Sequence, residues 1–460
     1  MQLKDLSALR PEIPGYGELR LHHNKQWAIA MVKGSVVRNS VASSGGLSAR
    51  LRRGYSWGMA SSPELSPESL RAVLKNAAEN AVLLDARFPA PMPDMSANPG
   101  HLLRDHRTAK TRLSQKEKLD FLAELDAYIV KKYPKLLSRT VAATGLDQEK
   151  SIVTADGAEG YAYIPRTHVF VNLSVERDGA PIDLRSPTIG GLGEFEDFCG
   201  DPVRFFPVID ELYEAVMKKK EGLYAEAGVK PCILAPDLAG ILAHEAVGHT
   251  VEADLVLGGS IAGPMLNRPV ASPLVSMTDF AHTAFGQTCE VPVYVDDEGV
   301  ECVDAPLIRD GILVGYMHNR ESAHRYGVQP AGNGRAFAFS DEPLIRMRNT
   351  CILPGTSKLA DMIASVEDGY YLANPGNGQA DMTSEFMFAV TMGYEIKNGR
   401  LGRALLDTTV SGVAFDMLKT VTAVSDDLHW VSSGMCGKKQ PAPVSMGGPA
   451  ILCKINLGGR

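Results

Sequence analysis

The stretch Pro236-Asp-Leu-Ala-Gly-Ile-Leu-Ala-His244-Glu245-Ala-Val-Gly248-His249-Thr-Val-Glu252-Ala-Asp254 carries the pattern on which the reading of this chain turns. A short apolar strand, Cys232 to Leu234, precedes it. Leu238, Ile241 and Leu242 then set a helical face, which Glu245 continues. His244-Glu245 is therefore expected late on a helix.

The common zinc-peptidase pattern is H-E-x-x-H, with histidines four apart on one helical face. Here the spacing is five, from His244 to His249. At about 100° per residue, four positions leave about 40° of offset but five leave about 140°. A straight α-helix would point the imidazoles apart. A π-bulge could absorb the extra residue. Alternatively, Gly248 could let the helix unwind just before His249. On the hexapeptide alone, two hydrogen-bonded histidines are the competing reading.

A zinc site needs a third protein ligand and an open position. Near the end of the chain stands Gly434-Met-Cys436-Gly437-Lys438-Lys439. Small glycines and a cation beside Cys436 favour a thiolate that can approach a metal. One more buried cysteine would look the same.

The rest of the chain frames this motif. Its 460 residues are too many for one compact core, so two domains are expected. Hydrophobic residues make up 45%, which leaves no disorder signature. A net charge of −7 gives no electrostatic reason to hold a polyphosphate, so nucleic acid is set aside as a partner. No run approaches a membrane span of about 20 apolar residues. Met1 to Pro14 alternates charged and apolar residues and does not read as a signal peptide. The seven scattered cysteines include no C-x-x-C pair and suggest a reducing compartment.

Along the first half, strands are expected from Glu18 to His23, Trp27 to Lys33, Ser35 to Val41 and Leu47 to Arg52. Little room precedes Glu18 for an opening helix. Ser66-Pro67-Glu68 opens a first helix. Phe88 to Pro99 reads as a Pro-rich loop. A second helix spans about Ser114 to Tyr133, stopping before Pro134. Strands Leu137 to Thr144, Ser151 to Asp156 and Tyr161 to Glu176 follow, then a third helix, about Val203 to Leu223. The second half is largely strand, with Arg309-Asp-Gly-Ile312 and Lys397-Asn-Gly-Arg400 as hairpin turns.

Other signals read as structural. Asp296-Asp297-Glu298-Gly299 resembles a carboxylate metal cluster, but Asp-Glu-Gly is more often a turn. Gly191-Leu-Gly193, Gly332-Asn-Gly334 and Gly376-Asn-Gly378 do not complete G-x-G-x-x-G and read as turns. His22-His23 reads as an exposed pair.

Six stretches in order resemble the TldD/PmbA metallopeptidases. They are His244-Glu-Ala-Val-Gly-His-Thr-Val-Glu-Ala-Asp254, Val295-Asp-Asp-Glu-Gly299 and Leu307-Ile-Arg-Asp-Gly-Ile-Leu-Val-Gly-Tyr316, then Gly332-Asn-Gly-Arg335, Gly376-Asn-Gly-Gln379 and Cys436-Gly-Lys438. The intact H-E-x-x-x-H makes the chain similar to the TldD branch. The resemblance implies that His244, His249 and Cys436 bind one Zn2+ per chain, with Glu245 as general base. It implies an α+β fold: an N-terminal α/β domain of strands with two or three helices, then a β-rich, antiparallel C-terminal domain carrying the H-E-x-x-x-H helix. Along this chain that division falls at residues 1–225 and 226–460. Implied partners are a short or unfolded peptide substrate and a dimer, formed with a second copy or with a paralogous PmbA/TldE-like subunit. No membrane partner and a cytoplasmic location are expected. After Cys436 the chain runs Gly-Lys-Lys-Gln-Pro where the family pattern is Gly-Lys-x-Gly-Gln.

In such a site the metal acts as a Lewis acid and Glu245 moves the proton. Glu252 or Asp254 could orient an imidazole from behind; solvated carboxylates past a helix end are the alternative. Two rival functions are a non-catalytic peptide-binding partner subunit and a zinc hydrolase of a non-peptide amide.

Overall fold

In a computed structural model, which describes residues 3–88, 95 and 98–458, the first half forms an eight-stranded sheet. Its strands are β1 (Tyr16–Val32), β2 (Ser35–Arg53), β3 (Ser56–Ser62), β4 (Leu103–Asp105), β5 (Ser138–Thr154), β6 (Glu159–Arg177), β7 (Ala180–Arg185) and β8 (Ile189–Leu192). They run in the order β3-β2-β1-β5-β6-β4, with β7 and β8 also paired to β6. All pairs are antiparallel except β4 with β6.

The strands are longer than the local pattern suggests. β1, β2 and β5 run unbroken through positions expected to be turns. Gly46 is one reason: it sits inside β2, where a Cβ would strike the Ser62 carbonyl and the Phe339 ring. Its glycine permits close approach rather than a turn. A 3-10 segment, Leu3–Glu12, precedes β1, contrary to the expectation of little room there.

Helix α1 (Pro67–Arg87) is capped by Ser66, whose side chain accepts from the Ser69 amide. It buries Leu70, Val73, Leu74, Ala77 and Ala81. That face packs on Leu19, Leu21, Leu47 and Leu51 of the sheet. Helix α2 (Gln115–Lys132) starts with a capping box between Ser114 and Glu117. Leu122, Leu125 and Ile129 join the helix Phe206–Lys220 in a second apolar cluster. Each fully buried leucine here contributes about 1.5–3 kcal/mol. The loop expected at Phe88 to Pro99 lies largely outside the described residues.

The second half holds two larger sheets. One has seven strands, and five of them close on themselves: Asp368–Ala380, Gly228–Leu234, Ile451–Gly458, Thr408–Val413 and Glu385–Lys397, which returns to Asp368–Ala380. The other has six strands and ends with Asn349–Ile352, Ala442–Gly448 and His429–Cys436. Pairing is mostly antiparallel; Asp368–Ala380 with Gly228–Leu234 and Asn349–Ile352 with Ala442–Gly448 are parallel. Both expected hairpin turns occur, with positive φ at Asp310, Gly311, Asn398 and Gly399. Gly376-Asn-Gly378, expected as a turn, lies instead in an irregular strand whose register shifts between Pro375 and Gly378. Gly191 likewise lies in β8.

Charge ties the N-terminal sheet to the second half. Arg50 of β2 lies 2.9 Å from Glu18 and 2.6 Å from Glu298. Lys150 of β5 lies 2.7 Å from Asp297. The turn expected at Asp296 to Gly299 is present, with Gly299 at φ 77. Its acids are buried, however: Asp297 and Glu298 face Lys150 and Arg50 of the N-terminal sheet, and Asp296 accepts from the amides of Glu298, Val300 and Gly334. His22 is buried in the same layer, not exposed, and its ring bonds Asn24 Oδ1 at 2.9 Å. Burial pulls its imidazole well below the usual range.

Candidate active site

The helix Pro236–Leu242 follows the strand Gly228–Leu234 and lies between the two large C-terminal sheets. Leu238, Ala239, Leu242, Ala243, Ala246 and Val247 are all buried, so the helix is apolar on several sides. From Ala243 to Gly248 it widens into a π-helix, and it ends in a 3-10 turn, His249–Val251. The His249 amide donates to the His244 carbonyl, five residues back. The five-residue spacing is thus absorbed by the winding. The two rings lie 5.2 Å apart, centroid to centroid.

Gly248 does not unwind the helix. Its φ of −55° and ψ of −49° are ordinary helical angles. A Cβ there would collide with Met347 Sδ, so the glycine serves close packing.

Cys436 ends the strand His429–Cys436 and meets the helix across the sheet gap. Its Sγ lies 3.4 Å from His249 Nε2. Ligand atoms of His244, His249 and Cys436 all lie within 4.8 Å of one another. Among the described residues this is the one His/Cys/Asp/Glu group so arranged. Glu245 carboxylate oxygens lie 4.0 Å from His244 Nε2 and 3.8 Å from His249 Nε2.

Cys436 and His249 shift each other in opposite directions. Burial alone would push the Cys436 thiol up, but the two imidazoles hold it down at about 3. Burial alone would lower His249, but Cys436 and Glu252 raise it to about 10. Both ring nitrogens of His244 are buried without a hydrogen-bond partner among the described residues. Two imidazoles and a thiolate form a donor set suited to zinc.

Around this group stand Arg346, which the sequence pattern did not single out, and Glu252, Asp254 and Lys438, which it did. Arg346 is fully buried, and its guanidinium donates to the carbonyls of Cys436, Lys438 and Gln440 at 2.9, 3.1 and 2.7 Å. It clamps the loop that carries the thiol. Arginine is rarely buried, so nothing local marks it. Glu252 is fully buried, not solvated, and its Oε2 lies 2.7 Å from His249 Nδ1. Lys438 lies 3.2 Å from that carboxylate and 2.7 Å from Asp254. Lys439 adopts φ 55 in the segment where the family pattern is interrupted.

Comparison with known proteins places the chain in a family. Residues 227–459 match the model of the PmbA/TldA metallopeptidase C-terminal domain, and residues 17–81 match domain 1 of the same family. A metalloprotease TldD homolog of Buchnera aphidicola is 30% identical, over 96% of this chain and 92% of its own. A zinc metalloprotease TldD homolog of Saccharolobus solfataricus is 35% identical over 55% of this chain, a match spanning 56% of that protein. Among solved structures, a Thermotoga maritima protein shares the fold with a TM-score of 0.76 at 18% identity, over 98% of each chain. TldE from Thermococcus kodakarensis does so with a TM-score of 0.73 at 15% identity, over 98% of this chain and 99% of its own. The chain belongs to the TldD/PmbA family of metallopeptidases.

Proposed function

We propose that this protein is a zinc-dependent peptidase in which His244, His249 and Cys436 hold one Zn2+ and Glu245 is the general base. The observation that carries this reading is the meeting of two imidazoles and a low-pKa thiol from distant segments, with ligand atoms within 4.8 Å of one another. The unpartnered ring nitrogens of His244 support it further, because a buried polar atom without a partner costs free energy that a metal would offset. Bound zinc supplies Lewis acidity toward water and the scissile carbonyl. Glu245 flanks both histidines and is about a third exposed, so it can reach solvent water. It takes the proton as the new bond to carbon forms and delivers it to the leaving amine. No helix of the described residues is long and apolar enough to cross a membrane.

The substrates on this reading are short or unfolded peptides, and the location is cytoplasmic, in keeping with seven free thiols. The likeness in fold to a TldE supports a dimer, with a second copy or a TldE-like subunit. We divide the chain at residues 225 and 226, just before the first strand of the seven-stranded sheet, Gly228–Leu234. The test is metal content, the mass of the purified complex, and turnover of an unstructured peptide beside a folded globular protein. About one zinc per chain, a dimer mass and cleavage of the unstructured peptide are expected. Metal-free protein without peptidase activity after zinc addition would overturn the reading.

A further inference from the structure

Lys438 reaches from the cysteine loop back to the end of the histidine helix. Its ammonium donates to Asp254 Oδ1 at 2.9 Å and to the Ile345 carbonyl at 3.0 Å, and lies 3.2 Å from Glu252 Oε2. Glu252 is fully buried. The same Glu252 oxygen lies 2.7 Å from His249 Nδ1. A buried carboxylate is costly without a charge partner, and Lys438 supplies one. The contacts form one line: Lys438, Glu252, His249. His244 has no such line behind it; neither of its nitrogens has a partner among the described residues.

An imidazole can offer Nε2 to a metal only if its proton sits on Nδ1. Glu252, a carboxylate with no proton to give, favours the tautomer that carries it. Its own orientation is limited by burial and by the Lys438 ammonium. A bond to the Asp254 carboxylate on the other side keeps the ammonium from following Glu252 elsewhere.

We propose that Glu252 and Lys438 are positioning residues for His249: Glu252 accepts the Nδ1 proton and so presents Nε2 to the metal, and Lys438 holds Glu252 in place. This rests on the zinc reading above. It adds that the cysteine loop delivers two groups to the site, a thiolate directly and an ammonium that acts through Glu252.

The test uses the full-length protein as wild type, Glu252→Gln, Lys438→Met, Lys438→Arg and the Glu252→Gln/Lys438→Met double variant. Zinc affinity is measured by chelator competition, and the visible spectrum is recorded after Co2+ substitution. Glu252→Gln and Lys438→Met should each weaken zinc binding by about 10–100-fold. The double variant should lose little more than the worse single variant, because both act through one imidazole. Lys438→Arg should recover most of the loss, and the Co2+ spectrum of Glu252→Gln should shift from wild type. Wild-type affinity and spectrum in Glu252→Gln, or losses that multiply in the double variant, would overturn the proposal. Should Lys438→Met fail to fold, Glu252→Gln preserves the shape of the side chain and decides by its spectrum. A wild type with no zinc affinity, or His249→Ala retaining full affinity, overturns the zinc reading and this proposal with it.

Discussion

Gly248 and Met347 are in such close contact that the glycine has no room for a Cβ. Met347 is 1% exposed and belongs to the main core of the second half. The residue after Gly248 is His249, so whatever moves Gly248 moves a candidate ligand. Gly248→Ala should destabilise the fold by about 1–3 kcal/mol through overpacking and lower zinc affinity. Because the Gly248 backbone angles are ordinary, the loss comes from the collision and not from strain. Adding Met347→Ala to Gly248→Ala should therefore restore part of the zinc affinity. Urea unfolding and chelator competition on both variants check this.

His244→Ala, His249→Ala and Cys436→Ala should each lower zinc occupancy from about one per chain, because three protein ligands are the minimum for such a site. Metal analysis of the purified variants measures it. Full occupancy in Cys436→Ala would remove the cysteine from the ligand set.

Glu245→Gln should cost at least about 10²–10⁴-fold in peptide turnover, the usual worth of general acid–base catalysis, while zinc stays bound. An amide of the same shape cannot accept the proton. Turnover of an unstructured peptide and zinc content are read on one preparation. Loss of zinc together with activity would make Glu245 a ligand and redraw the site.

The metal-free protein should show a characteristic dependence of stability on pH. Cys436 is depressed from 9.0 to about 3, so its contribution is complete above 9.0 and is lost as pH falls toward 3. His249 is raised from 6.5 to about 10, so its contribution is complete below 6.5 and is lost as pH rises toward 10. Between about 6.5 and 9 the folded and unfolded pairs each carry one proton, and the two trends cancel. Chelated protein should therefore be most stable on a plateau across that interval, falling on both sides. Cys436→Ser should flatten the profile, as urea midpoints across pH would show.

Glu298→Gln should destabilise the protein by about 1–3 kcal/mol, because one charged contact of the buried Arg50 is lost while Glu18 still pairs with it. Glu298 is 2% exposed and faces Arg50, which is 3% exposed and belongs to the N-terminal sheet. The pair joins the two halves, so their unfolding should become less cooperative in the variant. Calorimetry would show a broadened or split transition.

The cap at Ser66, the start of a helix near Ser114, the Asp-Gly and Asn-Gly hairpins, and the presence of a His-Glu helix and a cysteine flanked by glycines were all legible in the sequence. These features depend on residues within a few positions of one another, and their chemistry repeats wherever the pattern occurs. The same local evidence left two devices open for the His244–His249 spacing. The folded structure has the π turn, and Gly248 packs against Met347. The unbroken course of β1 and β2, the burial of His22, and the pairing of Asp297 and Glu298 with Lys150 and Arg50 were likewise decided by tertiary contact. So were the Arg346 clamp and the Lys438–Glu252–His249 line. Apart from the strands, each is a charged or polar group taken out of water, which is tolerated only when a partner is brought to it. Those partners lie far away in the chain, where sequence pattern does not reach and only the folded structure supplies them.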